Sequence, residues 1–236
     1  MMRSALVFGG SGTVGREVLK GLATKGIATT FTYFRQEELA KELTGSLGHR
    51  AVHLDLSKAE AIQDFFNTLK EEKRLPDIFI HCAGIAGNPI LTETTDEDWL
   101  NVQAVNCQSG FVAARALAPH FIEKQGGDMV FVGAMDRTQS FELPVAFAAT
   151  QGMLSGMTMS LAKALGPAQV RVNMLALGIL EEGLSRELDQ QLLEDYQKFS
   201  ALRRLGTPKE VSDAILWLAL ENTYLSGKVI PVNGGI

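Results

Sequence analysis

The sequence contains little cysteine and little histidine. Cys82 and Cys107 are the only cysteines among its 236 residues, and the four histidines show no metal-ligand spacing with them. A disulfide framework needs an even set of paired cysteines, and a structural metal site needs clustered cysteine or histidine. We therefore expect neither a disulfide-bonded scaffold nor a metal site.

Long apolar runs and an excess of positive charge are absent as well. No apolar run approaches the roughly 20 residues that a transmembrane helix needs. The formal net charge is -5, so the composition gives no basic patch for nucleic acid or for an anionic membrane surface. The composition therefore predicts a cytoplasmic protein with no nucleic-acid partner and no membrane partner.

What is present is an alternation of short apolar runs with stretches of helical periodicity. The run SALVFGG comes first, and the pattern repeats along the chain until GKVIPVNGG near its end. Strand–helix alternation indicates a parallel sheet with helices on both faces, and right-handed crossovers make that sheet doubly wound. The sequence thus predicts an α/β fold with a doubly wound parallel sheet of about seven strands (a Rossmann fold). No break in composition marks a linker, so we expect a single domain over residues 1–236.

A glycine-rich segment, FGGSGTVG, follows the first strand and opens a helix. In this context glycines allow a tight turn and a close backbone approach, and the helix N-terminus attracts a pyrophosphate. The same glycines would also suit a turn that only strand-to-helix geometry requires. On the first interpretation the residues that bind a dinucleotide here are Gly9, Ser11, Gly12 and Val14.

The end of the second strand bears on which dinucleotide would bind. The strand IATTFTYF runs directly into Arg35, with no acidic residue between them. An acid at this strand end bonds the ribose hydroxyls of NAD, whereas a basic residue accommodates the 2′-phosphate of NADP. Arg35 therefore favours NADP(H) over NAD(H).

Five further segments carry a family resemblance: HLDLS, HCAG, EDWLNVQAVNCQSGF, LRRLGTPKEVSDAILWLAL and YLSGKVIPVNGG. They resemble the short-chain dehydrogenase/reductase family, most nearly its 3-oxoacyl-[acyl-carrier-protein] reductases, and the resemblance covers nearly the whole chain. It implies that Asp55 lies near the adenine and that Ala83 and Gly84 contact the cofactor. It also implies that Asn106 is the family's catalytic asparagine.

The same resemblance places replacements at the family's other catalytic positions. The family's serine, tyrosine and lysine correspond to Ala134, Phe147 and Gln151. In the family the tyrosine donates a proton to a carbonyl, while the lysine lowers the pKa of the phenol from about 10 and holds the nicotinamide ribose. Phenylalanine has no such proton, glutamine has no charge, and alanine cannot orient a substrate oxygen. The resemblance therefore implies that the family's reduction falls to near background.

Other departures gather where the resemblance places the nicotinamide. Thr13 replaces the middle glycine of the loop, and His81 replaces an asparagine at the fourth strand. After the sixth strand, Leu177 replaces a proline and Glu182 replaces the threonine that holds the carboxamide. The residues that build the scaffold match the family. This pattern indicates that the site has lost its original function or has acquired another one, and binding of the nicotinamide cofactor is itself an open question at this stage.

Three hypotheses follow from these observations. The first is a catalytically silent partner subunit in a fatty-acid or polyketide-like pathway, forming a homo- or hetero-oligomer (a dimer or tetramer) through helices 96–123 and 144–165. The second is an NADP(H)-dependent oxidoreductase, or a non-redox dehydratase or isomerase, in which Asp136 or Glu182 acts as the acid or base on an acyl-carrier-linked or small-molecule ligand. The third is a nucleotide-sensing regulator that uses the glycine loop without catalysis.

Overall fold

The computed structural model describes residues 3–134 and 143–236. These residues form a seven-stranded sheet in which every neighbouring pair of strands is parallel. The strands are β1 (Ser4–Phe8), β2 (Ala28–Tyr33), β3 (Arg50–His53), β4 (Ile78–His81), β5 (Gly127–Ala134), β6 (Val170–Leu177) and β7 (Val229–Val232).

Helices connect the strands and lie on both faces of the sheet. The α-helices are α1 (Thr13–Thr24), α2 (Glu37–Leu47), α3 (Ala59–Glu71), α4 (Asp96–Gln103), α5 (Ser109–Lys124), α6 (Val145–Leu165), α7 (Gln190–Phe199) and α8 (Pro208–Leu220). Short 3₁₀ turns cover Leu91–Glu93, Gly166–Ala168 and Leu184–Glu187. None of the helices within residues 3–134 and 143–236 is long and apolar enough to cross a membrane.

The strand order is β3-β2-β1-β4-β5-β6-β7, so the direction of winding reverses between β1 and β4. The two carboxyl ends meet there, because Phe8 of β1 pairs in register with His81 of β4. Doubly wound sheets bind their ligands in the crevice outside such a reversal. The predicted doubly wound α/β fold is confirmed, and its topology places the crevice beside the glycine loop.

Two apolar clusters cover the two faces of the sheet. On one face α3, α5 and α6 contribute side chains such as Phe66, Leu117 and Leu154, which are all buried. On the other face α1 and α8 contribute side chains such as Leu22 and Ile215. Burying a large apolar side chain stabilises a fold by about 1.5–3 kcal/mol, so the two clusters fix the strand ends that frame the crevice.

The long helix expected to begin near Asp96 is not a uniform α-helix. A π-helical turn, Ala104–Gln108, lies between α4 and α5. A π turn accommodates an extra residue in the helix and is frequent at functional sites. Here the turn contains Asn106, whose side chain is buried.

The segment after β6 includes α7, which one buried side chain anchors beside the end of β7. Its Tyr196 is 1% exposed, and the phenol donates a hydrogen bond of 2.7 Å to the backbone oxygen of Asn233. The Tyr196 hydroxyl also leaves no room for a side chain at Gly178, where a Cβ would lie 1.8 Å from it. Packing of Tyr196 therefore fixes the start of the segment that leads from β6 towards the crevice.

Candidate functional site

A cleft runs along the carboxyl ends of the central strands and consists of two connected cavities. The cavity that we call the outer cleft has a volume of about 470 Å³ and lies beyond β1, β2 and β3. The cavity that we call the inner cleft has a volume of about 310 Å³ and lies beyond β4, β5 and β6. Both are lined by Gly12, Cys82, Ala83 and Gly84, so one elongated ligand could occupy both cavities.

The glycine turn brings two strand ends into close contact. Gly9 has φ +75°, and a Cβ at this position would lie 2.8 Å from the backbone of Ala83. A Cβ at Gly15 would lie 2.2 Å from the backbone oxygen of Gly9. Both approaches require glycine. The turn leads into α1 at Gly12, which provides no side-chain cap, so the first-turn amides of this helix stay available to an anion.

The outer cleft has the residues expected at an adenosine end. Ser11, Arg35 and Asp55 all line it. The Arg35 guanidinium lies 5.8 Å from the ring centroid of Phe34, and that ring stacks on His53 at 5.7 Å. This stacking restrains Arg35 at the rim of the cleft, where its positive charge would attract a phosphate.

Asp55 is held as an ionised carboxylate. Its Oδ1 accepts hydrogen bonds from the Ser57 amide at 2.9 Å and from the Ser57 hydroxyl at 2.7 Å. Burial acts to raise the pKa of Asp55, but the hydrogen bonds from Ser57 and the nearby charges of Lys58 and His53 together outweigh it and hold the pKa below its ordinary value. The carboxylate is therefore a fixed acceptor at the floor of the outer cleft.

The inner cleft is mostly apolar. Its apolar lining consists of Val14, Val132, Ala134, Phe147, Leu154, Leu177, Leu180 and Leu184. Its polar side chains include Asn106, Gln151, Glu182 and Ser185. The four positions that the resemblance assigns to catalysis, Asn106, Ala134, Phe147 and Gln151, thus come together in this cavity.

Asn106 is occupied by a fixed set of hydrogen bonds. Its Oδ1 accepts from the Ile85 amide at 2.9 Å, and its Nδ2 donates to the Ile85 oxygen at 2.9 Å. Nδ2 also donates to the Thr150 hydroxyl at 3.2 Å, and that hydroxyl donates to the Phe147 backbone oxygen at 2.7 Å. The π-helical turn therefore connects the loop after β4 to the first turns of α6.

Gln151 points back into the protein instead of reaching across the cleft. The side chain is 5% exposed, and its Oε1 accepts a hydrogen bond of 2.9 Å from the backbone amide of Ala134. Its Nε2 donates to the Thr150 hydroxyl at 3.2 Å and to the Phe147 oxygen at 3.4 Å. Gly133 makes this arrangement possible, because a Cβ there would lie 2.5 Å from Oε1 of Gln151.

His81 lies directly beneath the cleft and is fully buried. One ring nitrogen, Nε2, lies 2.6 Å from the Ser109 hydroxyl, which in turn donates to the backbone oxygen of Val105. Burial lowers the pKa of His81 from 6.5 to about 4. The imidazole is therefore neutral near pH 7 and packs as an aromatic ring against Phe8 and Phe131.

Glu182 and Asp136 are the two residues that the sequence analysis names as a replacement acid or base. Glu182 lines the inner cleft and forms ion pairs with Arg16 at 3.8 Å and with Arg186 at 3.5 Å. Asp136 lies outside the described residues. Within the described residues, no group of three or more histidine, cysteine, aspartate or glutamate side chains is arranged to hold a metal ion.

Comparison with known proteins assigns the chain to a family. A family model described as "Enoyl-(Acyl carrier protein) reductase" matches residues 10–236. A 3-oxoacyl-[acyl-carrier-protein] reductase of Mus musculus is 32% identical over 238 aligned residues, which cover 100% of this chain and 98% of the relative. The chain belongs to the short-chain dehydrogenase/reductase family. The expected family, with its likeness to 3-oxoacyl-[acyl-carrier-protein] reductases, is thereby confirmed.

Solved structures of short-chain dehydrogenases/reductases agree with this fold. A 3-oxoacyl-[acyl-carrier protein] reductase from Brucella melitensis ATCC 23457 superposes with a TM-score of 0.87 at 27% identity, covering 99% of this chain and 91% of that one. The structure titled "ElxO with NADP Bound" superposes with a TM-score of 0.86 at 22% identity, covering 99% and 98% of the two chains. At 22% identity the second comparison supports the fold alone.

The nicotinamide cofactor typical of short-chain dehydrogenases/reductases fits the two cavities unequally. The glycine turn, Asp55 and Arg35 line one cavity and suit the adenosine and phosphate groups of a nicotinamide dinucleotide. At the inner end, the carboxamide of Gln151 already bonds to Ala134 and Phe147, so it is not presented to a ribose. A nicotinamide cofactor supplies a hydride when bound, and the side chains of Ala134, Phe147 and Gln151 beside the inner cleft carry neither an acidic proton nor a positive charge.

The candidate residues named from the sequence lie at one cleft, but the contacts that hold them were not predicted. All eight residues predicted to bind the cofactor line the two cavities: Gly9, Ser11, Gly12, Val14, Arg35, Asp55, Ala83 and Gly84. The partners of Gln151 were not predicted, and neither was the role of Gly133 in making room for it. The ion pair between Glu182 and Arg16 was also missed, because the two residues are far apart in the sequence.

Proposed function

We propose that this short-chain dehydrogenase/reductase is a catalytically silent family member that acts as a partner subunit in a fatty-acid or polyketide-like pathway. The observation that carries the proposal is the position of the Gln151 side chain. Its carboxamide bonds within the protein, to the Ala134 amide at 2.9 Å and to Thr150 at 3.2 Å. A side chain held in this way has a structural role. Its carboxamide is uncharged, so it provides no positive charge to assist proton transfer.

The chemistry of the neighbouring positions supports the same conclusion. Phe147 lines the inner cleft with an apolar ring, and Ala134 has no side-chain hydrogen-bond donor. General acid catalysis contributes about 10²–10⁴-fold to a rate, and removal of an oxyanion donor costs about 10²–10³-fold. With both contributions missing, reduction of a carbonyl substrate should fall close to the background rate.

The proposal retains binding of a dinucleotide, with NADP(H) favoured over NAD(H). Arg35 at the rim of the outer cleft and the uncapped N-terminus of α1 support this part. The structure of ElxO carries NADP in a similar fold, although the identity of 22% limits that comparison to the fold. On this proposal bound nucleotide stabilises the subunit and is not consumed.

The partner surface that we propose is formed by α4, α5 and α6. Large apolar side chains are exposed on it: Leu100, Phe111, Ile122, Val145, Met153 and Met159. On α6, a Cβ at Gly152 or Gly156 would meet nothing within 4 Å, so another helix could approach closely at these positions. We propose that this surface joins a second copy of the chain, or an active reductase, in a dimer or tetramer.

The test is an assay of the purified protein with NADPH and a 3-oxoacyl thioester, combined with native mass spectrometry. We expect no turnover above background, and an oligomer that retains nucleotide. A matched variant, Ala134→Ser with Phe147→Tyr and Gln151→Lys, should gain measurable reduction, because Asn106 and the cleft are unchanged. Turnover of the unmodified protein at the rate of an ordinary reductase would refute the proposal.

One observation supports a second function. The Glu182 carboxylate lines the same cavity as Phe147 and is 41% exposed at the side chain, so it is accessible to a ligand as a proton acceptor. In that case the chain is an NADP(H)-dependent oxidoreductase, or a non-redox dehydratase or isomerase, with Glu182 or Asp136 as the acid or base. Any turnover of a hydroxyacyl or enoyl thioester should then be lost in Glu182→Gln or Asp136→Asn, and turnover that survives both substitutions would exclude these residues.

A further inference from the structure

The segment that follows β6 folds back onto the glycine loop. Gly183 has φ +92°, and a Cβ there would lie 3.3 Å from the hydroxyl and 3.4 Å from the Cβ of Thr13. Thr13 is the first residue of α1, and it lines the inner cleft together with Gly183. The segment is therefore seated against the helix N-terminus at which a phosphate would bind.

This contact places an acidic side chain beside the anion-binding end of α1. The Glu182 carboxylate lies 3.8 Å from Nη2 of Arg16, in the first turns of that helix, and 3.5 Å from Nη2 of Arg186. A separation of 3.8 Å is too long for a hydrogen bond, so the pair with Arg16 is held by charge alone. The Glu182 carboxylate is thus a negatively charged group of the protein itself, and it lies near the N-terminal end of α1, where the helix dipole favours negative charge.

Arg16 has donor capacity that this ion pair does not use. Its Nε is buried, and among the described residues no acceptor lies within hydrogen-bonding distance of it. A buried donor without an acceptor is unfavourable by about 1–3 kcal/mol. This donor is not exposed to solvent and Arg16 lines neither cavity, so a phosphate beside α1 would meet only the Nη end of the guanidinium, whose charge Glu182 already neutralises.

We propose that Glu182 determines which ligands the cleft accepts, by acting as an internal competitor of the phosphates of a dinucleotide. The inference rests on the proposed binding of a dinucleotide. With Glu182 in place, a diphosphate beside α1 meets a like charge, and the positive charge of Arg16 is already paired with the carboxylate. Ligands without phosphate meet no such competition, so Glu182 shifts the preference of the cleft away from dinucleotides and towards uncharged groups that suit its apolar inner lining.

The experiment measures dissociation constants for NADPH, inorganic pyrophosphate and adenosine with three full-length proteins. These are the unmodified chain, Glu182→Gln, and the matched control Glu181→Gln. Glu181 is exposed and adjacent in sequence, and its substitution changes the net charge by the same amount. We expect Glu182→Gln to bind NADPH about fivefold more tightly, which corresponds to about 1 kcal/mol, and to bind pyrophosphate more tightly as well.

Three further results are expected, and the first two separate this effect from a general change in charge. Glu181→Gln should bind NADPH like the unmodified chain, and the affinity for adenosine should be the same in all three proteins. The advantage of Glu182→Gln should also shrink at high salt, because a charge–charge interaction at a partly exposed site is screened.

The outcomes distinguish this inference from the proposed function. Equal dissociation constants for NADPH in all three proteins, or weaker binding by Glu182→Gln, would overturn the inference while nucleotide binding stands. If none of the three proteins binds NADPH or pyrophosphate, the proposed nucleotide binding fails, and the inference fails with it.

Discussion

The carboxamide oxygen of Gln151 accepts a hydrogen bond of 2.9 Å from the backbone amide of Ala134. This contact joins α6 to the last residue of β5, and both residues line the inner cleft. A residue that the family resemblance assigns to catalysis thus serves as a structural link. Substitutions at Gln151 and at Gly133 should therefore change the free energy of unfolding.

Replacement of Gln151 by leucine should destabilise the protein by about 1–3 kcal/mol, because the Ala134 amide is left without its acceptor. Leucine has a similar volume, so the loss reports mainly on hydrogen bonding. Urea unfolding measures the difference, and Gln191→Leu at an exposed position of α7 is the control. A Gln151→Leu variant as stable as its control would show that the contact contributes nothing.

Gly133→Ala should also be destabilising, by about 1–3 kcal/mol, because overpacking forces neighbouring atoms to move. The added methyl group would lie 2.3 Å from Cε of Met174 and 2.5 Å from Oε1 of Gln151. The control is Gly45→Ala in α2, where a Cβ meets nothing within 4 Å; it should stabilise by about 0.5–1 kcal/mol. Thermal unfolding of the two variants should therefore shift in opposite directions, and a shift in the same direction would contradict the packing argument.

The burial of His81 predicts a pH dependence of stability. The pKa of His81 is lowered from 6.5 to about 4 in the folded protein, so the unfolded chain binds the proton more readily between these values. Stability should therefore fall as the pH decreases from about 6.5 towards 4, and at pH 5 this residue should account for about 2 kcal/mol of the loss.

Urea unfolding at pH 7.5 and at pH 5 tests this expectation by comparing the unmodified chain with His81→Gln. The substitution should reduce the loss of stability between the two pH values, whatever its effect at pH 7.5. The control is His53→Gln, which replaces an exposed histidine. An unchanged pH dependence in His81→Gln would show that another group titrates in this range.

A charge introduced into the exposed apolar surface of α5 should weaken assembly. Phe111 is 48% exposed, and the Arg115 guanidinium lies 5.6 Å from its ring centroid. If this surface contacts a partner, Phe111→Glu removes an apolar ring from the interface and introduces a carboxylate whose desolvation a pair with Arg115 offsets only in part, so the oligomer should dissociate at least tenfold more readily. Sedimentation velocity measures the change, and Tyr224→Glu, at a side chain that is 99% exposed, is the control. Equal sedimentation of the two variants would place the interface elsewhere.

The fold could be predicted from the sequence because each of its signals is local. Alternating apolar runs located every strand, and the capping box of Thr207 and Glu210 marks the start of α8 where the sequence placed it. The third strand ends at His53, two residues before Asp55, whose carboxylate accepts a hydrogen bond from the Ser57 amide, a local contact that the apolar pattern does not encode. The π-helical turn was missed because one extra residue hardly disturbs the periodicity of a long helix.

The site was only partly predictable, because its geometry depends on contacts between distant residues. The glycine spacing and the family resemblance brought the cofactor and catalytic positions into one cleft. The direction of the Gln151 side chain depends on the absence of a Cβ at Gly133, which no periodicity encodes. Likewise, the pairing of Glu182 with Arg16 depends on how the segment after β6 is seated against α1.

The small size of residue 133 also constrains how this lineage can change. Gly133 and Gln151 interlock, so a lysine introduced alone at position 151 gives up the bond to Ala134 before any catalytic benefit exists. A serine or tyrosine introduced alone likewise restores no proton relay. Under the proposed function, each single step towards the family's catalytic residues is therefore neutral or harmful, and only the combined change is useful. Because these residues depend on one another, the arrangement of Gly133, Gln151 and Ala134 is not readily changed by single substitutions.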